Sequence, residues 1–346
     1  MKAAILFKYN EDLIYQDYPK PVISEKDDVI IKIIGAGVCR TDIHEKNGEF
    51  KDKLKLPLIM GHENVGYIDN IEDNSLGLIK GIPVLVFPYV TSGYCLNCRK
   101  GNDMFCTEKP YMPGFDTDGG YAEYLKTKIR ALLVLPTTLS REKLIKMAPL
   151  ADAGITAYHA IKRISNHISP GSYVAIIGAG GGIGHIALQM LKSMTPAKII
   201  ALDKNDKGIK LAEKLGADFS VESGKDGGLK SIFEITKGVG ADIVLDLVGE
   251  GDVTNIAIKM TKKQGILSIV GYGGSFTEST FDIINREITI MGNLTGTYSE
   301  FQEMVDLYLE GKLTIEGPVY QLRDANKALE DLSSNKYIGR AILVPP

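Results

Sequence analysis

An α/β protein of two domains is what this chain predicts, one a doubly wound parallel sheet and the other rich in short strands. Three observations carry that expectation. Buried strands alternate with helices through the middle of the chain, and a glycine cluster sits between the first of those strands and its helix. The N-terminal stretch consists of short β runs cut by Gly and Pro. With 346 residues, each domain has enough chain to bury a core.

In the first 150 residues, runs such as 29–34 and 83–89 read as strands of an antiparallel or barrel-like domain. The texture changes at Ser172. Residues 173–177 are continuously apolar, as a strand covered on both faces must be. A helical spacing of Ile186, Leu188, Met190 and Leu191 follows the glycines. Residues 198–202 read as the next strand and 205–215 as the next helix, with further strands at 242–247, 266–270 and 288–291. Beyond 293 a long helix, 299–310, leads to a terminal strand at 340–344. A terminal strand needs a partner, so the last fifty or so residues are expected to rejoin the first domain. The expected layout is 1–150 with 293–346 as one domain and 151–292 as the other.

Composition narrows the function. Hydrophobic residues make up 44% and charged ones 24%, without a low-complexity tract, as in globular domains. A formal net charge of −3 and the lack of a basic run argue against nucleic acid or an anionic membrane as partner. The apolar start is interrupted by Lys8 and Asn10, too soon for a signal peptide, and no later stretch is long enough to span a bilayer. A cytoplasmic enzyme is the expectation. Of the four cysteines, 39, 95, 98 and 106, the three clustered at short spacing then read as metal ligands sooner than as disulfides.

Gly178-Ala179-Gly180-Gly181-Gly182-Ile183-Gly184 lies where a dinucleotide turn belongs, after a strand and before a helix. Glycine lets the backbone turn sharply and approach a pyrophosphate, which the helix N-terminus then faces with its amides. Several registers of the motif fit. Asp203, at the end of the second strand, is placed to bind a ribose diol and to repel a 2′-phosphate, which favours NAD over NADP. Lys204 softens that preference. The plainer alternative is a glycine-rich turn with Asp203 as a helix cap. A P-loop is excluded because His185 follows Gly184.

Cys39-Arg40-Thr41-Asp42-Ile43-His44, Gly61-His62-Glu63, the segment from Pro149 to His159 and the closing Gly339-Arg340-Ala341 resemble the zinc-containing medium-chain alcohol dehydrogenases. The resemblance extends along nearly the whole chain. It implies a GroES-like catalytic domain beside a Rossmann domain, with Zn²⁺ and NAD as cofactors. Carried over residue by residue, it makes Cys39, His62 and Asp152 the ligands of a catalytic zinc with its fourth position open. The third ligand in that family is commonly Cys, and some members have an acid there. The resemblance also implies a proton relay from Thr41 through the cofactor ribose to His44, and a near-metal carboxylate at Glu63. Arg40 and Arg340 fall at positions that contact the pyrophosphate, and Thr156 and the turn residues complete the cofactor site. Asp42 is expected to orient His62 from behind.

Cys95, Cys98 and Cys106 match three of the four cysteines of that family's structural-zinc loop, but Ser92 stands at the remaining position. Three possibilities stay open: zinc held by three thiolates and a substitute oxygen, a partly filled site, or reduced cysteines without metal.

The expected reaction is reversible hydride transfer from a primary or secondary alcohol to NAD, yielding an aldehyde or ketone. Phe50, Phe87 and Tyr111 are candidate pocket residues. A polyol, sugar or threonine dehydrogenase on the same scaffold is the alternative. A cofactor-binding protein that has lost catalysis is disfavoured because Cys39, His62, Thr41 and His44 are all intact. Metal-free quinone reductases are disfavoured for the same reason. The resemblance further implies a homodimer or homotetramer.

Overall fold

Short runs of β-branched and aliphatic residues build the strands of the first unit, which the computed structural model places in two sheets, antiparallel but for one parallel pair near the C-terminus. In chain order its elements are β1 (Lys2–Leu6), β2 (Ile14–Asp17), β3 (Asp28–Gly37), α1 (Arg40–Lys46), β4 (Leu58–Ile59) and β5 (Glu63–Ile71). They continue with β6 (Pro83–Val86), α2 (Leu96–Arg99), β7 (Tyr124–Lys128), β8 (Leu132–Val134) and α3 (Arg141–Ile145). The structure describes residues 1–73, 76–224 and 226–346.

The small sheet has the order β2-β1-β4, while β3, β5, β6 and β8 are successive neighbours in the large one, with β7 also on β3. Strand register positions the site. The end of β3 lies beside the start of β5, with Gly37 opposite Glu63. Cys39, just past β3, and His62, just before β5, are thereby brought side by side although 23 positions separate them. A short 3-10 turn, Ala148–Ala151, is fully buried against β3 and β5 and delivers Asp152 to the same place. The helix α4 (Ala153–Ser165) follows directly.

Alternation of strand and helix gives the second unit. Its elements are β9 (Tyr173–Ile177), α5 (Gly184–Met194), β10 (Lys198–Asp203), α6 (Asp206–Lys214), β11 (Phe219–Glu222) and α7 (Leu229–Ile235). Then come β12 (Ala241–Asp246), α8 (Val253–Met260), β13 (Thr261–Ile269), α9 (Thr280–Arg286) and β14 (Thr289–Gly292). All neighbours are parallel in the order β11-β10-β9-β12-β13-β14, the doubly wound arrangement whose order reverses after its first strand. Ala175, Ile200, Leu202, Val244 and Leu267 fill the core. β11 escapes the sequence reading because only Val221 of its residues is buried, so neither alternation nor a continuous apolar run marks it.

The chain closes with α10 (Tyr298–Leu309), β15 (Val319–Gln321), α11 (Ala325–Ser333) and β16 (Ile342–Val344). β16 lies antiparallel to β3, Ile342 opposite Gly37, so the C-terminal strand does join the first unit. The units divide differently from the expected layout: Met1–Ile155, Gly296–Val305 and Gly317–Pro346 form the first, Thr156–Thr295 and Asp306–Glu316 the second. Side chains of α5 explain why the 306–316 stretch stays with the second unit. Gln189 Oε1 accepts from the Thr314 amide and hydroxyl at 2.9 and 3.0 Å, and its Nε2 donates to the Thr314 carbonyl at 2.9 Å. One turn earlier, His185 Nε2 accepts from the Glu316 amide at 3.3 Å.

Candidate active site

Cys39 caps the N-terminus of α1 in an extended conformation, and Asp42, three residues on, reaches back to its amide at 2.7 Å. That bond turns Asp42 inward. Its Oδ2 also accepts from the Tyr121 hydroxyl at 2.6 Å, and its Oδ1 stands 3.4 Å from His62 Nδ1. The far nitrogen of the ring, Nε2, is thereby aimed at Asp152, whose Oδ2 lies 3.5 Å away. Asp152 Oδ2 is in turn 3.7 Å from Cys39 Sγ. Cys39, His62 and Asp152 thus offer one ligand atom each, all within 4.8 Å of one another.

This donor set fits zinc. Tetrahedral bonds of ordinary Zn–S, Zn–N and Zn–O length separate the ligand atoms by about 3.3–3.7 Å, the range of the two separations given. Sulfur, imidazole and carboxylate suit a borderline-soft cation, and three protein ligands leave a fourth position for an exchangeable one. Electrostatics agree. Burial alone would push the His62 pKa down, yet Asp152, Asp42 and Cys39 hold it well above the usual imidazole value. Two carboxylates and a thiol gathered round one buried imidazole make a site that favours positive charge.

Glu63 is fully buried and committed. Its Oε1 accepts from the Ala153 amide at 2.9 Å, and Arg340 pairs with both its oxygens. Arg340 Nη2 also lies 3.6 Å from Asp152 Oδ2. The structure therefore places Arg340, a pyrophosphate candidate by resemblance, in the metal surroundings and buried. Arg40 opens α1 and is half-buried, and Thr41 follows it with its hydroxyl 3.4 Å from Cys39 Sγ. His44, one turn further along α1, has Nδ1 2.7 Å from Glu49 Oε1. The C-terminus of α1 creates that neighbour. Gly48, at φ 77°, turns the chain so that the Glu49 amide donates back to the His44 carbonyl at 3.0 Å.

Three participants were not read from the sequence. Tyr121 is 79 residues from Asp42, and no local signal joins them. Glu49 emerges only through the turn at Gly48. Glu45 was detectable, since it follows Asp42 at the i,i+3 spacing of one helix face. It is completely buried, and burial together with the Asp42 carboxylate pushes its pKa well above the carboxyl range. The three pocket candidates fall in different surroundings. Phe50 stacks edge-on against Phe115, and Phe87 is buried against Tyr298 and Phe301. Tyr111 lines a cavity of about 490 Å³ together with Tyr18, Lys126 and Lys128, which no metal candidate borders.

In the second unit the glycine turn leaves β9 and is tied to β10. The amides of Gly178 and Ala179 donate to the Leu202 carbonyl at 2.8 and 3.0 Å. Asp203 Oδ2 accepts from the Gly180 amide at 2.8 Å, and Oδ1 from that of Asn205 at 2.9 Å. A Cβ at Gly180 would strike the backbone of Gly208 on α6, so only glycine permits this approach. Gly181, Gly182 and Ile183 lead into α5 at Gly184, and the carbonyls of Gly181 and Ile183 accept from the amides of His185 and Ala187 at 3.1 and 2.9 Å. Thr156 is buried on α4.

Comparison with known proteins shows the family. The sequence pattern of the alcohol dehydrogenase GroES-like domain matches residues 25–137, and that of the zinc-binding dehydrogenases matches residues 182–310. An NAD-dependent alcohol dehydrogenase of Sulfurisphaera tokodaii is 33% identical, with all of each chain covered. The chain belongs to the zinc-containing medium-chain alcohol dehydrogenase family. The crystal structure of the family's alcohol dehydrogenase from Aeropyrum pernix is 45% identical and superposes with a TM-score of 0.97 over all of both chains. A D-arabinose 1-dehydrogenase (NADP⁺) of Saccharolobus solfataricus is 34% identical over 99% of this chain and 97% of its own. The family thus spans more than one alcohol class and both nicotinamide cofactors.

Proposed function

We propose that this member of the family is a zinc-dependent oxidoreductase that moves hydride reversibly between a primary or secondary alcohol and NAD. The observation that carries the reading is the spacing of Cys39 Sγ, His62 Nε2 and Asp152 Oδ2, a three-donor set. Bound there, zinc would supply a Lewis acid that eases loss of the alcohol's hydroxyl proton near neutral pH. The chain's own residues do the rest. Asp42 stands 3.4 Å from the His62 ring and favours its orientation by charge, and Tyr121 holds Asp42. The Thr41 hydroxyl, beside Cys39, takes the departing proton, and His44 carries it outward. Asp203, fixed by the Gly180 and Asn205 amides, supplies the acceptor for a ribose diol. The turn from Gly182 to Gly184 that enters α5 would offer backbone amides to the pyrophosphate.

The test is a screen of primary, secondary, cyclic and polyhydroxy alcohols with NAD and NADP, read by nicotinamide absorbance. NADH should form with simple alcohols, vanish on chelation and return with zinc, and His62→Ala should lose tight metal and turnover together. Turnover retained in His62→Ala would overturn the zinc mechanism. A sugar or polyol dehydrogenase is the second reading, supported by the arabinose dehydrogenase relative, and the same screen separates the two.

The reading extends to a homodimer or homotetramer acting away from membranes. β14 pairs only with β13 among the described residues, and Phe281 and Ile284 on the neighbouring α9 are 72% and 73% exposed. No helix among the described residues is long and apolar enough to cross a membrane. Light scattering on the purified protein measures the subunit number, and a monomer would contradict the proposal.

A further inference from the structure

We propose that Ser92 is the fourth donor of a zinc site in the cysteine lobe, which would hold the ion with three thiolates and one hydroxyl oxygen. The lobe is assembled locally. Cys95 caps the short helix α2, Cys98 sits one turn along it, and Cys106 returns after a 3-10 turn over Asp103–Phe105. Their sulfurs converge, Cys95 Sγ lying 3.4 Å from Cys98 Sγ and 3.8 Å from Cys106 Sγ. Ser92 Oγ lies 3.5 Å from Cys106 Sγ and 3.8 Å from Cys98 Sγ. Four donors about a tetrahedral zinc stand about 3.5–3.8 Å apart when the bonds have ordinary Zn–S and Zn–O lengths. The serine oxygen stands at such distances from two of the three sulfurs, and it also accepts from the Tyr94 and Cys95 amides at 3.4 Å each, which fix it beside them.

The backbone is arranged to receive anionic sulfur. The Ser92 amide donates to Cys106 Sγ at 3.4 Å. Such N–H···S bonds compensate negative charge on thiolates and orient them. Charge counting separates this lobe from a four-thiolate one. Three thiolates with Zn²⁺ carry one net negative charge, where four carry two. A neutral hydroxyl is also the weakest donor of the set, so zinc here is expected to exchange faster than from an all-sulfur cage. The Arg130 guanidinium lies against the Gly93 turn, an arrangement that suits the residual negative charge.

The proposal is independent of the reaction assigned above, because its readout is metal and not turnover. Zinc per chain is measured while the full-length protein is equilibrated with graded amounts of a chromogenic chelator, for wild type, Ser92→Ala, Ser92→Cys and Cys98→Ser. Wild type is expected to hold two zinc ions, with one released first. Ser92→Ala should release that ion at least about tenfold more readily, as loss of a metal-site partner does, and Ser92→Cys should hold it more tightly. Cys98→Ser should hold only one. Cobalt loading adds a spectroscopic check, since Ser92→Cys should strengthen the sulfur-to-cobalt charge-transfer band. Release from Ser92→Ala at the wild-type chelator concentration would overturn the assignment, as would a wild-type count of one that Cys98→Ser leaves unaltered. Should Ser92→Ala fold poorly, Ser92→Cys remains decisive, because no tightening there also overturns it. A wild type that forms no NADH but shows these metal counts would refute the dehydrogenase reading alone.

Discussion

Arg340 grips Glu63 with two arms of its guanidinium, Nε donating to Oε2 at 2.9 Å and Nη2 to Oε1 at 2.6 Å, with both side chains buried. The pair ties the C-terminal segment to the start of β5, 277 residues away, directly behind the metal candidates. A bidentate, desolvated pair of this kind is costly to break from one side, because the remaining charge loses its partner inside the protein.

Glu63→Gln is therefore expected to destabilise the zinc-loaded protein by about 3 kcal/mol, the lower end for stranding one member of a buried pair. Denaturant unfolding measures it. An unchanged midpoint would mean that Arg340 finds equal compensation elsewhere, with Asp152 the nearest candidate.

Asp203→Ala removes both the ribose acceptor and the bond to the Gly180 amide. The ratio of kcat/KM for NAD to that for NADP should fall by at least about tenfold, equivalent to about 1.4 kcal/mol. Unaltered discrimination would assign the preference to other residues.

Thr41→Val keeps the shape of the side chain and deletes its hydroxyl. Turnover is expected to drop about a hundredfold, the lower range for removing a positioned proton carrier, while zinc content stays the same. Thr41→Ser should restore most of the rate. A Val variant as fast as wild type would remove Thr41 from the proton path.

Asp28 supplies the pH dependence. Burial raises its pKa, but the amides of Ser24 and Glu25, the Ser24 hydroxyl and Lys128 together outweigh it and hold the group well below the usual carboxylate range. A depressed folded-state pKa adds stability that is complete above the unfolded value of about 4 and is lost as pH falls towards the folded one. Asp28→Asn should thus cost about 2 kcal/mol at pH 7, typical of hydrogen bonds to a charged group, with the difference shrinking below pH 4. Thermal unfolding at pH 7 and pH 3 checks it; an equal loss at both would point to packing in place of charge.

The chemistry of the site was legible before the fold because it is written in short motifs. Cys39 to His44, Gly61 to Glu63 and the glycine run each lie on one turn or one strand end, where spacing along the chain translates directly into geometry. Continuous apolar runs likewise marked β9 and β10, since a strand covered on both faces leaves no polar position. What escaped were partners chosen by tertiary register. Tyr121 meets Asp42, and Arg340 meets Glu63, only because strands distant in sequence lie together.

By itself, then, the sequence determined which candidate donor atoms and which glycine-rich turn this chain possesses, because residue type and local spacing set those. Only the tertiary structure decided their company. The pairing of β3 with β5 sets Cys39 beside His62, and the buried turn before Asp152 completes the trio. The folding of the cysteine lobe sets Ser92 beside two of the three sulfurs, where the motif had shown only a gap. The physical reason is that ligand geometry is a matter of distances through space, which strand register and loop closure fix and which spacing along the chain does not.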